Sequence, residues 1–589
     1  MSWTLLIVLL YVSLPLFAET ELDPIEVEAT KDIERFTFSN SVVIEANQLN
    51  SEPLGLISSA LEKVHGLVAS QNGGPGGRIS FFLRGTESRH LSFTLDGLKI
   101  NDTSNTDRQF DAAFMPSPAL RDLTVYKGPQ AVLFGSDAMG GLIEMRTRKG
   151  ENAPETRLTV NGGSFGTLSS SLSKDWQSEK NNGSLTVLRF HSDGISRLNK
   201  KRFNAKEKDA TDITQMTSSS EHRWGDKIHT DILSGHINGK AEQDGYGEDT
   251  SQDYTRNDQY FLQQKTNYTL NEAQAISLRN GFNRHQRLNS SHQSTEEFFN
   301  GNLFEHELIH RLEHGPFGVI TGISNEHEHA KAINLDDSFD LNSIFSLASF
   351  LMDDFKIHLG ARSDRHSKYG VFNTGSAGLA FQELSMQYSE GFKAPSLYQL
   401  YGPDSFGSPV GNPDLIPETN HSMEISWKRS KEAYDAGISL FQNRLSNLFT
   451  YSFEKGYINQ QKFIAEGIEL SGKRRTNSFE FSGSFTHQQF KEEKVTILRR
   501  PYNIAIGGIS YFPNESMELN VNSRWYSSRK DFEAKLNGFE VLDLGIKKTW
   551  EQDEVTLQLR NLLNREYEEI YGFSVLPRSV FVGYGHQFQ

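Results

Sequence analysis

From about residue 157 to the C-terminus, apolar and polar residues alternate with a period of two, the pattern of strands whose two faces meet different surroundings. In one run Leu542, Leu544, Ile546 and Trp550 share a face while Asp543, Lys547 and Thr549 take the other; in the next, Val555, Leu557 and Leu559 oppose Thr556, Gln558 and Arg560. Met423, Ile425 and Trp427 follow the same rule, as do Met517, Leu519, Val521 and Trp525. Turns or long polar stretches separate the runs. Before residue 150 the texture is mixed, with short apolar stretches, a helix-compatible segment at 54–68 and a high density of glycine turns. The break predicts two units, a compact one at 32–150 and a large all-β one at 151–589.

Strands of this kind suit an array of soluble sandwiches or a transmembrane barrel, since both alternate. Trp176, Trp427, Trp525, Trp550 and Tyr584 stand near strand ends, where a membrane-interface girdle sits, and so favour the barrel. At about 10 residues per strand plus connections, the length allows about 22 strands. A barrel that wide leaks unless it is filled, and the compact segment before it is the candidate filling. The expected fold is therefore an all-β transmembrane β-barrel of about 22 antiparallel strands with an N-terminal α+β plug domain inside it. Residues 3–17 are almost wholly apolar and lead to Ala18, which reads as a signal peptide over 1–18. No basic residue precedes that run and the first positive charge is Lys31, so an uncleaved helical anchor is the alternative. Beyond Phe17 no run reaches the ~18 apolar residues of a membrane helix.

Composition removes other classes. A net charge of -15 argues against a nucleic-acid partner, which needs a basic face to neutralise phosphates. Cysteine is absent, which excludes disulfides, thiolate metal sites and cysteine nucleophiles. No nucleophile elbow or other catalytic constellation stands out, so no enzyme is expected. The glycines do not form a phosphate loop, because no lysine-serine or lysine-threonine pair follows them.

The stretch LRGTESRHLSFTLDGLKIND at 83–102, followed by VYKGPQAVLFGSDAMGGLIEMRTRKG at 125–150, resembles the plug domain of the TonB-dependent outer-membrane receptors. The passage from Phe392 through Tyr398, the segment around Gly411, Asn412 and Pro413, Gly467-Ile468-Glu469, Arg499-Arg500-Pro501 and the closing run from Arg560 to Phe573 resemble that family's barrel. Near the start of the mature chain Asp23, Pro24, Ile25, Glu26, Val27, Glu28 and Ala29 resemble a TonB box, within a 19–31 N-terminal segment; a featureless acidic terminus is the other reading. Such a box pairs as a strand with the edge of a periplasmic partner sheet. The family commonly has glutamate where this chain has Thr124 and arginine where it has Lys127. Those departures speak against a plug-to-barrel ion-pair network at these two positions and leave Arg84 as the expected buried contact.

The resemblance implies a receptor in the outer membrane of a Gram-negative-type cell that imports a scarce ligand, with TonB, a small-molecule ligand and outer-membrane lipid as partners and no required cofactor. The opening QNGGPGGR of the plug, at 71–78, and the closing strands are most similar to the cobalamin-receptor branch. A siderophore or haem receptor of the same family is the alternative cargo reading, and a passive porin or an adhesin is the alternative of another class. His90 reads as a solvated loop residue. Outward plug loops take part in ligand binding in the family; the matching stretches here are the turn 73–78 and residues 101–110, and within them Arg78, Asn105, Asp107 and Arg108 are the expected ligand contacts, a solvated polar loop tip being the other reading. The loop DGYGEDTSQDYTRND at 244–258 gathers Asp244, Glu248, Asp249, Asp253 and Asp258, hard oxygen donors suited to calcium; an acidic solvated loop is the alternative.

Overall fold

The computed structural model describes residues 40–588 apart from 151–154, 246, 251, 293, 405–407, 460–461, 493–496 and 533. The expected signal peptide and the 23–29 docking segment lie outside the described residues. Two-residue alternation becomes a wall: Thr167–Gln177 turns Ser169, Ser171 and Ser173 to the lumen and leaves Leu168 and Leu172 exposed on the outside. Among the described residues 22 strands pair antiparallel in one ring, which Ser579–Phe588 closes on Glu155–Gly163 with Tyr584 opposite Val160. Closure leaves no unpaired strand edge, the condition for placing a sheet in lipid.

The two ends of the ring differ. At one, strands are joined by two-residue turns such as 272–273, 315–316, 353–354, 382–383 and 551–552; at the other lie the long connections 193–210, 243–253, 394–417, 447–461 and 561–578. Short turns mark the periplasmic side and long loops the outside. Outward aromatics line the short-turn end. Phe317 faces Phe350 with ring centroids 4.8 Å apart, and Phe479 faces Tyr511 at 4.7 Å.

Inside the ring sits a five-stranded sheet in the order Ser41–Glu45, Leu120–Lys127, Gly141–Thr147, Leu91–Leu95, Leu98–Lys99. Leu91–Leu95 runs parallel to Gly141–Thr147 and the other pairs are antiparallel. Asp96 (φ +50°) and Gly97 (φ +88°) join the last two strands through a turn with left-handed backbone at both positions, which Asp-Gly tolerates. The 54–68 segment is not one helix. Ile57–Leu61 is helical, then Gly66 at φ +77° turns the chain into Leu67–Gln71, which pairs with Ile79–Leu83. The plug's Leu61, Phe81, Phe93 and Leu123 share one apolar core with Phe190, Ile213, Ile237 and Phe261 of the wall, so plug and barrel pack as one body on that side.

Candidate functional site

The plug reaches the long-loop end through 73–78 and 101–110. There Arg78 is exposed and stands 3.9 Å from Asp107. Asn105 is buried, and its Oδ1 accepts the Asp107 N–H. Arg108 is buried against the wall: its guanidinium donates to Glu328 (3.0 Å), Asp137 (2.7 Å) and the Ala394 carbonyl (3.0 Å). Of the four positions expected to meet ligand, Arg78 and Asp107 are the two whose charged groups reach solvent. Sequence reasoning missed the aromatic side chains around them. The short helix Leu397–Tyr401 is capped by Ser396, whose Oγ accepts the Gln399 N–H and donates to the plug carbonyl of Thr106 at 2.6 Å. That contact seats the helix that carries Tyr398 against the plug. Tyr451 and Tyr457, on the loop hairpin Phe449–Ser452 and Gly456–Asn459, meet edge to face at 5.6 Å. Burial, then the nearby Asp107 and Tyr398, pushes the Tyr457 phenol up to about 12. The outer vestibule thus offers aromatic faces beside a few fixed charges, a surface suited to a bulky amphipathic ring system.

Behind the vestibule the plug is tied to the wall by buried ion pairs. Arg84 donates to Glu424 at 2.8 and 3.0 Å and to Glu469 at 3.2 and 2.9 Å, and its guanidinium lies 4.8 Å from the Phe441 ring centroid. The expectation that Arg84 makes a buried contact holds. The expectation for Lys127 does not, because its Nζ donates to Glu469 at 2.9 Å. A lysine reaches the same carboxylate as an arginine would, with one bond instead of a fork. Burial, with Arg84 close by, pulls the Lys127 ammonium down to about 8. Thr124 is buried in the plug sheet, and its hydroxyl has no partner among the described residues. His90 is not solvated: the turn Ser88–His90 folds it inward, fully buried, with Nε2 2.9 Å from Glu418. Glu418 also takes Arg89 at 3.0 Å, while Lys393 and Arg108 share Asp137.

The acidic outer loop divides. Asp244 and Asp249 converge with Glu207 from the neighbouring loop, and one carboxylate oxygen from each lies within 4.8 Å of the others. Ser196 Oγ donates to Asp249 at 3.0 Å, the Lys206 N–H donates to Asp249 at 2.6 Å, and the Leu198 N–H donates to Asp244 at 3.1 Å. Asp209 lies beneath, buried; one oxygen of Asp209 and one of Glu207 have no hydrogen-bond partner among the described residues. Burial and the neighbouring carboxylates push Glu207 up to about 8. Glu248 and Asp253 lie apart, on either side of His292 at 3.6 and 2.8 Å, and Asp258, on the strand Tyr254–Asn271, is held by His236 and Asn238 of the adjacent strand Ile228–Glu242.

Residues 154–564 match the family described as TonB dependent receptor-like, beta-barrel, and residues 33–142 match the TonB-dependent Receptor Plug Domain. The vitamin B12 transporter BtuB of Photobacterium profundum is 23% identical over 575 residues, covering 93% of this chain and 92% of that one. Its counterpart in Vibrio vulnificus is 24% identical over 538 residues, covering 86% and 85%. Among solved structures, the siderophore receptor PirA from Acinetobacter baumannii superposes with a TM-score of 0.82 at 15% identity, covering 96% of this chain and 100% of that one. The FrpB iron transporter from Neisseria meningitidis gives 0.80 at 13%, covering 94% and 100%. At these identities the structural likeness is one of fold.

Proposed function

The chain belongs to the TonB-dependent receptors, transporters of the outer membrane rather than enzymes, and from that premise we propose that its cargo is a cobalamin or a closely similar metal chelate. The observation that carries the cargo is the match to vitamin B12 transporters along nearly the whole chain. The vestibule agrees with it, since Tyr398, Tyr451 and Tyr457 give a large ring system flat faces while Arg78 and Asp107 fix its polar edge. A ferric siderophore is the second reading, favoured by the fold likeness to siderophore receptors. Native mass spectrometry of the purified receptor with cyanocobalamin and with ferric siderophores separates them. Retained cyanocobalamin supports the first, and retention of a ferric siderophore alone overturns it.

The outer membrane has no ATP, so uphill uptake draws its energy through TonB. In this proposal residues 23–29 pair with TonB by strand addition, which relies on backbone groups. Ligand binding outside shifts the population toward a state in which that segment is available, and pulling on it rearranges the plug. No cofactor takes part in transport. A calcium ion in the outer loops belongs to the proposal: Glu207, Asp244 and Asp249 are its donors, and their converging carboxylates, with one unpartnered oxygen on Glu207, fit a hard cation that takes oxygen ligands. The ion would supply charge balance that fixes two loops to each other.

A further inference from the structure

The plug does not meet the wall evenly. The inward-facing glycines of the barrel report this, because a Cβ built on each points at whatever fills the lumen. On one side it collides with the plug: at Gly239 with Phe114 (2.3 Å), at Gly281 with Leu98 (2.5 Å), at Gly301 with Thr103 (2.3 Å), at Gly391 with Met139 (2.9 Å). There the missing side chain is the space the plug occupies. On the other side the Cβ of Gly437 meets Ser471, that of Gly508 meets Asn522 and Ser482, and that of Gly545 meets Asn520, all of them wall residues; no plug atom is among the three nearest. The strand register puts these positions on one inner face, with Ser482 opposite Gly508 and Ser471 opposite Gly437 and Ser484.

A crevice of about 980 Å³ fills that gap. Before any motion it already matches the upper end of the roughly 300–1,000 Å³ that enclose a small ligand. It runs the height of the barrel, from Lys428 and Glu480 beside the short turns to Gly73 and Leu576 under the long loops. Its wall is mostly serine, asparagine, glycine and charged residues, with Ile506, Val541 and Tyr567 among them, a mixture that offers a passing hydrophilic solute few strong contacts. The plug crosses it at the Ser51 carbonyl, which accepts from Gln558, at the Ser59 hydroxyl, which accepts from Arg560 at 3.4 Å, and with one acidic side chain. Glu62, just past the helix Ile57–Leu61, reaches across to Arg524 at 3.1 Å and Arg560 at 3.5 Å. Arg524 also contacts Glu569 of the outer loop 561–578 at 3.4 Å, and Glu569 accepts the Gln71 N–H of the plug at 3.0 Å. One guanidinium therefore joins the inner bar to the outer lid.

We propose that the transported solute crosses along this crevice, between the plug and the strands from Phe479–Glu492 to Asp553–Arg560, while the plug stays docked on the rest of the wall, Glu424 and Glu469 included, and that Glu62 held by Arg524 and Arg560 is the bar that keeps it shut. The proposal rests on the reading of the protein as an importer but not on which solute it carries. Its test uses the full chain reconstituted in liposomes, with swelling in isotonic raffinose as the readout. Glu62→Ala swells several-fold faster than the parent. Adding Ser484→Trp, a lumen-facing position in the crevice, returns the rate to the parent's. Adding Gly483→Trp, whose Cβ meets nothing within 4 Å and points to lipid between Phe481 and Phe485, leaves the leak in place. Heat-modifiable gel migration checks that each barrel closes, and Ser482→Trp is the second blocking variant. No leak in Glu62→Ala, or a leak that both tryptophans leave equal, overturns the route. Failure to retain cyanocobalamin overturns the cargo reading alone, because raffinose reports the crevice whatever the cargo is.

Discussion

Arg84→Ala tests whether buried ion pairs set how firmly the plug is held. The substitution removes four hydrogen bonds to two buried carboxylates and the stacking on Phe441. Glu469 keeps Lys127, whereas among the described residues Glu424 keeps a hydrogen bond from the Ser426 hydroxyl alone, at 2.8 Å. Removing one partner of a buried pair costs about 3–5 kcal/mol, because the remaining charge is left uncompensated. That corresponds to roughly a hundred- to several-thousand-fold rise in the population with a detached plug. Hydrogen exchange of the plug strands Leu120–Lys127 and Gly141–Thr147 reads this population, since their amides exchange through plug opening. Arg84→Ala/Glu424→Gln removes the stranded charge as well and should recover part of the loss. Lys201→Ala, which breaks an exposed surface pair with Glu566, should leave plug exchange unchanged. A change below threefold in Arg84→Ala would refute the reasoning.

Three further outcomes follow from the same account. Ile25→Pro or Val27→Pro, which removes a backbone donor from the expected docking strand, should abolish energised uptake and leave surface binding intact, as measured by transport and binding of the same labelled ligand. Asp244→Asn/Asp249→Asn should eliminate calcium heat in isothermal titration of the purified receptor; heat that survives the double substitution places the ion elsewhere. Burial pushes Glu144 in the central plug strand up to about 7. Its folded form therefore keeps its proton longer than the unfolded chain does, and stability falls as pH rises from the ordinary glutamate range through 7. Glu144→Gln should flatten the plug's melting temperature between pH 5 and 8, and an unchanged pH slope would assign the dependence to another group.

The barrel was legible because its chemistry is written along the chain: Leu542, Leu544 and Ile546 face lipid while Asp543 and Lys547 face the lumen, and a one-residue slip would exchange them. The plug was legible through local motifs, and Arg84 through its place in one. What the sequence did not reveal depends on the wall around the plug. Arg108, Asn105 and His90 are polar residues on turns, which in a free-standing domain are solvated, yet here the plug surface is an interface: Arg108 and His90 are held by Glu328 and Glu418 of strands far along the chain, and Asn105 is buried within its loop. Lys127 differs from arginine in residue type, yet its ammonium reaches the same carboxylate, which residue identity alone does not reveal. Glu207 was missed because it joins Asp244 and Asp249 from a different loop. The nearby Glu207-x-Asp209 spacing in a neighbouring outer loop was the available signal. Nothing in a one-dimensional pattern could distinguish Gly281, pressed on Leu98, from Gly508, open to the crevice.

Energised import through a plugged barrel requires TonB, whereas leakage does not. Uptake of labelled cyanocobalamin by cells whose sole B12 receptor is this chain, measured with TonB present and with TonB deleted, tests it most directly. The account predicts saturable accumulation with TonB and surface binding alone without it. Equal passage in both strains, rising linearly with concentration, would contradict it and mark the protein as a passive pore.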